Sequence, residues 1–278
     1  MRLKGVAVVL GLVWACAPAA AQQVISAKPG TINYVEGAVA IDGKPVEMRS
    51  ESFPRLRENS ELRTAVGRAE MLLADGVFVH AGENSALRMV SGQLTDTRLE
   101  LLEGSVLVEW VDTLRRNPGA TITLGDAAVT LLKCGLYRLD SQPPQVKVYA
   151  GEVRVSRAGQ TTQVGKARRM VLTVAAVPEQ FDTQAGDALF RWARRRSEYL
   201  ALANLSAARY ADRVGGYGSA GWLWNPYYGM FTYVPLDGLC SSFWGYRFWS
   251  PSTVYHAYVP RQSSALGGYG RVTDTSGF

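Results

Sequence analysis

Groups that could carry acid–base or metal chemistry are scarce in this sequence. Its 278 residues include two histidines, His80 and His256, and three cysteines, with no spacing typical of metal ligands. A structural zinc site uses four ligands and a catalytic site three. The chain also lacks a phosphate-binding glycine loop and a Gly-x-Ser-x-Gly motif, for which Tyr217-Gly218-Ser219-Ala220-Gly221 is the nearest string. These absences predict a protein with no metal, no cofactor and no catalytic residues.

Carboxylates are the remaining route to catalysis, because glycoside hydrolysis needs two of them at a suitable separation. Glu100, Glu103 and Glu109 surround Gly104 on predicted neighbouring strands. Their alternation with apolar residues is typical of the solvent-facing side of a sheet. We therefore expect a non-enzymatic protein and keep a divergent hydrolase as an alternative.

Long apolar runs are absent beyond the start of the chain. A short basic start precedes an apolar stretch at residues 5–17, which is short for a bilayer core, and Ala19-Ala20-Ala21 follows it. This order predicts a signal peptide at residues 1–21 with Gln22 as the mature N-terminus, and the alternative is a lipoprotein acylated at Cys16. We expect an exported protein that is periplasmic, envelope-associated or secreted, with no transmembrane segment after cleavage.

Neither charge nor cysteine content defines a partner. The formal net charge is +6, and loss of Arg2 and Lys4 with the signal peptide leaves +4 (6 − 2). So weak a basic balance in an exported chain argues against nucleic acid as a partner. An oxidising compartment would allow Cys134 and Cys240 to pair, whereas Cys134 could equally pack as a small apolar side chain.

Residues 28–175 alternate apolar and polar side chains over short runs that are separated by turn sequences such as Asp42-Gly43. Period two predicts strands, and turns about every 8–12 residues predict many short ones, arranged as a sandwich, a barrel or a solenoid. Three similar motifs place Gly37, Gly104 and Gly151 beside β-rich runs. We expect these to be structural turn glycines, because the backbone there turns sharply or approaches another strand.

Six pieces of this region, in order, resemble the FecR periplasmic domain. The pieces are Gly30-Thr31-Ile32 with Gly37-Ala38-Val39; Leu62-Arg63-Thr64 with Gly67-Arg68-Ala69-Glu70-Met71-Leu72-Leu73; Asp75-Gly76-Val77-Phe78-Val79; Asn84-Ser85-Ala86-Leu87-Arg88; Leu101-Leu102-Glu103-Gly104-Ser105-Val106; and Val148-Tyr149-Ala150-Gly151-Glu152-Val153. The resemblance implies a mainly β, solenoid-like or sandwich-like domain without catalytic activity, which relays transporter occupancy to a sigma factor in the best-known members.

Those signalling members carry an anti-sigma segment and a membrane helix ahead of the domain. Here the predicted signal peptide leads almost directly into the first strand, so we expect no contact with a sigma factor. The resemblance then implies a fold and a scaffold or sensor role that acts through protein contacts in the envelope, since a fold alone does not define an activity.

A long helix is predicted within residues 182–213. Asp187 is placed to cap its start, and apolar residues recur at helical spacing on one face. Arg194, Arg195 and Arg196 are consecutive and therefore span about 200° of the helix, so we expect a solvated face and no focused anion site. The apolar face is predicted to pack on the β domain.

The last part of the chain is predicted to be an irregular aromatic strap at residues 214–260 and a flexible tail at 261–278. Half of the chain's aromatic residues lie in this strap. Its Trp-Asn-Pro-Tyr-Tyr and Trp-Ser-Pro strings resemble those that often follow a similar helix in exported FecR-like proteins. The rings either complete the core, as isolated Trp and Tyr usually do, or stay exposed to hold an envelope protein or a polysaccharide such as peptidoglycan or exopolysaccharide. The candidate contact residues are Trp222, Trp224, Tyr227, Tyr228, Trp244 and Trp249.

Overall fold

The computed structural model describes residues 27–48, 53–112, 119–172, 177–214 and 220–258. It is mostly β, with 54% in strands, and carries one long helix in these ranges, which confirms the predicted fold class. The predicted signal peptide and the tail at 261–278 lie outside the described residues. Within the described ranges, no helix combines the length and apolarity that a membrane span requires.

The described elements follow one another in this order. The strands of the large sheet are β1 (Thr31–Ile41), β2 (Lys44–Pro45), β3 (Glu61–Ala74), β4 (Val77–Ala81), β5 (Ala86–Gln93), β6 (Asp96–Glu103), β7 (Ser105–Trp110), β8 (Ala120–Leu124), β9 (Ala127–Leu131), β10 (Gly135–Ser141), β11 (Pro144–Ala150), β12 (Glu152–Arg157), β13 (Gln160–Gly165), β14 (Arg168–Val171) and β15 (Glu179–Gln180). They are followed by α1 (Ala188–Val214), β16 (Gly221–Asn225), β17 (Met230–Val234), β18 (Leu239–Ser241), β19 (Arg247–Trp249) and a 3-10 turn (Val254–Tyr258).

The large sheet has the strand order β13-β12-β9-β8-β6-β5-β3-β4-β7-β10-β11-β14-β15, with β1 paired to β3 and β2 to β1. Among the described strands the pairs are antiparallel apart from β6 and β8, which run parallel. The start of β3 pairs with β5, while its later part pairs with β4. The long strand β3 therefore belongs to both halves of the sheet.

These two halves pack face to face. Val155 of β12 and Val148 of β11 come from opposite ends of the strand order, yet both are buried in one apolar cluster. Since a sheet can share a core between its two ends only by folding over, we describe a first layer that contains β5, β6, β8, β9, β12 and β13. The second layer contains β1, β3, β4, β7, β10, β11 and β14. This arrangement is sandwich-like.

The second layer is buried on both faces. Val79 of β4 lies in the core between the layers, whereas its neighbour Phe78 packs on the opposite face with Leu200 of α1 and Trp222 of β16. Alternate residues of a strand point to opposite faces, so α1 and the described part of the aromatic strap form a third layer. All five residues of β4 are buried as a result.

Three glycines of the β layers have a left-handed backbone conformation. Gly37, Gly104 and Gly151 have φ of +71°, +82° and +88°, a region that side chains other than glycine rarely adopt. Gly104 joins β6 of the first layer to β7 of the second, and a Cβ at this position would collide with Ser85.

The helix begins one residue after its predicted cap. The Oδ1 atom of Asp187 accepts a hydrogen bond from the backbone N–H of Phe190 at 2.9 Å, which satisfies a donor of the first turn. The aromatic segment that follows is more regular than its sequence indicated, because it contains the hairpins β16–β17 and β18–β19. Cys134 and Cys240 are not joined in a disulfide.

Candidate functional site

A cluster of polar and charged side chains lies between the second and third layers. We call it the interlayer cluster, and its members are Asn33 of β1, Glu70 of β3, His80 of β4, Glu109 of β7, and Arg196 and Ser197 of α1. Each member is at most 5% exposed. The cluster therefore places buried ionisable groups at the surface on which α1 docks.

Glu70 and Arg196 form its central ion pair. The Nε and Nη2 atoms of Arg196 donate to the two carboxylate oxygens of Glu70 at 3.0 and 3.1 Å. Asn33 donates a further hydrogen bond to Glu70 at 2.7 Å, and the ring of Tyr34 lies 4.0 Å from the Arg196 guanidinium carbon. Burial opposes ionisation of Glu70, but the charge and hydrogen bonds of Arg196 outweigh it and lower the pKa of that carboxyl.

The burial of Arg196 corrects a sequence-based expectation. Arg194 and Arg195 are exposed as predicted for a solvated face, but Arg196 is only 5% exposed. The three arginines do point in different directions, and one of these directions leads to the buried Glu70. The interruption of the apolar face by Arg196 was the signal in the sequence that could have shown this pairing.

His80 is held in an uncharged form. Its Nδ1 atom lies 3.7 Å from Glu70, and neither ring nitrogen has a hydrogen-bonding partner among the described residues. Burial lowers the pKa of His80 to about 4, against the attraction of Glu70. The contact with Glu70 is therefore no ion pair at neutral pH, and His80 instead packs edge-on against Trp192 with ring centroids 5.8 Å apart.

Glu109 is also uncharged at neutral pH. Burial raises its pKa to about 8, although hydrogen bonds from Ser197 Oγ at 3.2 Å and the Phe243 N–H at 3.4 Å act in the opposite direction. The expectation of a solvated glutamate is wrong here, because α1 and the Phe243 segment cover this face of β7. Glu103 is exposed as expected, and Glu100 is half-buried.

The interlayer cluster supplies a neutral carboxylic acid and a neutral imidazole, which are groups suited to proton transfer. Both side chains are enclosed by the third layer, and His80 and Glu109 have no exposed surface. The described residues contain no group of three or more His, Cys, Asp and Glu side chains that could hold a metal ion. In this arrangement the cluster connects α1 to the sheet and does not meet solvent.

The six candidate contact rings divide into three environments. Trp222 is buried against Phe78 and Tyr233, so it belongs to the interlayer core. Trp224, Tyr228, Trp244 and Trp249 are half-buried and pack at the margins of apolar clusters. Tyr227 differs from all of these because it is 86% exposed.

A rigid turn presents the ring of Tyr227 to solvent. The Oδ1 atom of Asn225 accepts hydrogen bonds from the backbone N–H groups of Tyr227 at 3.0 Å and Tyr228 at 3.2 Å. The Nδ2 atom of Asn225 donates to the carbonyl of Ala203 at 2.8 Å and to Ser206 on α1. One buried amide therefore fixes both the shape of the turn and its position against the helix.

Comparison with known proteins gives limited similarity. No family model matches the chain, and no curated protein matches it. Two crystal structures of a proposed anti-sigma factor from Parabacteroides distasonis, at 2.50 and 1.65 Å resolution, align with a TM-score of 0.37 each and identities of 18% and 17%. The alignment covers 45% of this chain and 61% of that protein, which is less than two thirds of its length. A likeness at this level establishes neither a shared fold nor a shared activity.

Proposed function

We propose that this chain is an exported, non-enzymatic, FecR-like protein that serves as an envelope scaffold or sensor module through protein–protein contacts. Two features of the sequence motivate the proposal: a start typical of a signal peptide, and six FecR-like pieces in family order. The pieces fall on strands or their connections throughout the two β layers.

The burial of the ionisable groups is the observation that favours a contact function over a catalytic one. A general acid or base must come within hydrogen-bonding reach of its substrate. His80 and Glu109, whose pKa values are strongly displaced, lie behind α1 with no exposed surface. The most exposed of the six candidate rings is that of Tyr227, at 86%, and aromatic rings are enriched at protein contacts.

Export can be tested with alkaline phosphatase fused to the C-terminus of the full chain, since this enzyme becomes active only after export. A matched variant, Leu10→Arg with Leu12→Arg, interrupts the apolar run at residues 5–17. We expect phosphatase activity from the natural sequence and its loss in the variant. Equal activity from the two fusions, or none from either, would contradict export.

The contact can be tested by photo-crosslinking in living cells. A photoreactive phenylalanine analogue would replace Tyr227 in one variant and Gln163, an exposed residue of β13, in the other. A protein adduct of defined mass at position 227, without the same adduct at position 163, is the expected result. The absence of an adduct at position 227 in cells that export the protein would contradict a protein contact there.

A further inference from the structure

The outer side of β13 is an open edge of the large sheet. β13 is the last strand at one end of the sheet order, and among the described strands it pairs with β12 alone. This pairing includes all six residues from Gln160 to Gly165 and has no register shift. The strand therefore presents a regular row of backbone groups on the side that faces away from β12.

The turn between β12 and β13 determines which backbone groups point to this edge. Residues 158–159 form a two-residue turn with φ of +48° and +78°, as in a type I′ hairpin. Such a turn is closed by a hydrogen-bonded pair, here Arg157 and Gln160, and non-hydrogen-bonded pairs then alternate with hydrogen-bonded ones. The residues whose N–H and C=O groups point outward are therefore Thr161, Gln163 and Gly165.

β13 lacks the features by which proteins usually protect such an edge, which are a charged residue, a proline, a bulge or a very short strand. Two other edge strands of this sheet have them. β2 consists of Lys44 and Pro45, and β15 has two residues, of which Glu179 is ion-paired with Arg169 at 2.7 Å. None of the six residues of β13 is charged or a proline. This difference indicates that the β13 edge is used for pairing.

We infer that two copies of this chain form a dimer by antiparallel pairing of their β13 strands. A two-fold axis that crosses the sheet at Gln163 places this residue opposite its own copy. The same axis places Thr161 opposite Gly165 of the second copy. In this register every outward-facing N–H and C=O group of β13 has a partner, and the two sheets become continuous.

The side chains of β13 are compatible with this register. On the inner side of the sheet Thr162 lies opposite Val164 of the second copy, and β-branched residues pair favourably across strands. On the outer side the paired residues are uncharged. Arg154 of β12 is opposite Gln163, so it would lie three strand spacings, about 14 Å, from its own copy, which is beyond the screening length of about 8 Å.

A second copy fits this edge better than an extended segment of another protein. A two-fold dimer uses both free edges at once and closes, so it does not extend into a fibre. Another protein would pair through the same backbone groups, but the uncharged side chains of β13 offer no charge by which to select it. The dimer is independent of the protein contact proposed at Tyr227.

Sedimentation equilibrium of the full chain, purified after export, measures the dimer directly. One pair of strands buries less than the about 800 Å² per partner of a standard interface, so we expect a dissociation constant of about 10–100 μM. The chain should be mostly monomeric at about 1 μM and mostly dimeric at about 500 μM. A chain that stays monomeric over this whole range would overturn the inference.

Matched substitutions assign the dimer to β13. Gln163→Lys places two like charges directly opposite each other across the two-fold axis and should weaken the dimer by about tenfold. Gln93→Lys adds the same charge at an exposed position of β5 and should change the dissociation constant by less than about twofold. Equal effects of the two substitutions would overturn the assignment to β13.

Crosslinking tests the register and the identity of the partner. Two cysteines at position 163 would have a Cα separation of about 5.5 Å, which a disulfide can span, so Gln163→Cys should form a covalent dimer on oxidation and Gln93→Cys should not. Both variants retain Cys134 and Cys240, which therefore contribute equally. Equal crosslinking of the two variants, or none at position 163, would overturn the register. In cells, a photoreactive residue at position 163 should give an adduct of twice the chain's mass, and an adduct with a different protein would overturn the second copy as partner.

Discussion

Stability should fall as the pH rises through the neutral range, because Glu109 must lose a proton in the enclosed space beneath α1. Burial raises the pKa of this carboxyl from 4.5 to about 8. Between these pH values the folded protein keeps the proton and the unfolded chain does not. Each such proton lowers the free energy of unfolding by about 1.36 kcal/mol per pH unit.

His80 has the opposite effect, but over a lower range. Burial lowers its pKa from 6.5 to about 4, so between these values only the unfolded chain holds the proton and stability rises with pH. The two effects cancel over most of the range below pH 6.5, and above it the effect of Glu109 dominates. From pH 6.5 to 8 the free energy of unfolding should therefore decrease by about 1 kcal/mol, because Glu109 of the folded protein begins to ionise near pH 8 and His80 of the unfolded chain is still losing its proton near pH 6.5.

The substitution Glu109→Gln isolates this effect. Its side-chain oxygen can accept the hydrogen bonds from Ser197 and Phe243, and its amide resembles the protonated carboxyl in size. The variant should match the natural protein at pH 6.5 and exceed its free energy of unfolding by at least about 1 kcal/mol at pH 8. Urea unfolding followed by circular dichroism at several pH values measures the difference.

A second glutamate provides the control. Glu103→Gln changes a side chain that is 57% exposed, and it should keep the pH dependence of the natural protein. If the natural protein shows no decrease over this range, or if Glu109→Gln decreases in parallel with it, Glu109 is not the buried acid described above. A loss of pH dependence in Glu103→Gln would lead to the same conclusion.

Two further predictions concern α1 and the aromatic segment. Arg196→Met leaves Glu70 buried without its cation and should lower the free energy of unfolding by about 3–5 kcal/mol. The same change at the exposed Arg195 should alter it by less than about 0.5 kcal/mol. Thermal and urea unfolding measure both variants, and similar losses in the two would rule out the buried pair. Trp222→Ala removes a ring from the interlayer core and should lower the free energy of unfolding by about 3–5 kcal/mol. Tyr227→Ala should leave the free energy of unfolding nearly unchanged, because its ring is exposed. The same unfolding measurements test both variants, and an unchanged stability of Trp222→Ala would contradict the assignment of this ring to the core.

The sequence was informative wherever the structure depends on neighbours along the chain. Alternation over residues 28–175 indicated short strands, and Asp187 indicated the start of the helix. These signals are local, because period two and a capping side chain are properties of a few consecutive residues. The φ values of Gly104 and Gly151 belong to the same class of local constraint.

The interlayer cluster could not be predicted from local sequence patterns, because its members are far apart in the sequence and meet only in the folded chain. Glu109 alternates with apolar neighbours as a solvated residue would, and nothing in β7 itself indicates that α1 lies over it. Arg196 and Glu70 are separated by 126 positions in the chain. Their pairing follows from the packing of a helix on a sheet, which a single sequence specifies only through the combined burial of many side chains.

The covering of the second layer by α1 and the hairpins also has a consequence for the order of synthesis. Asn33 of β1 exchanges hydrogen bonds with the backbone of Phe231, 198 residues later in the chain. The β sheet is thus translated well before the segment that shields its outer side, and the face that includes Phe78 stays uncovered during that interval. Nascent chains of this protein should accordingly depend on a holding chaperone until the final hairpins emerge, and chains that end shortly after α1 should aggregate.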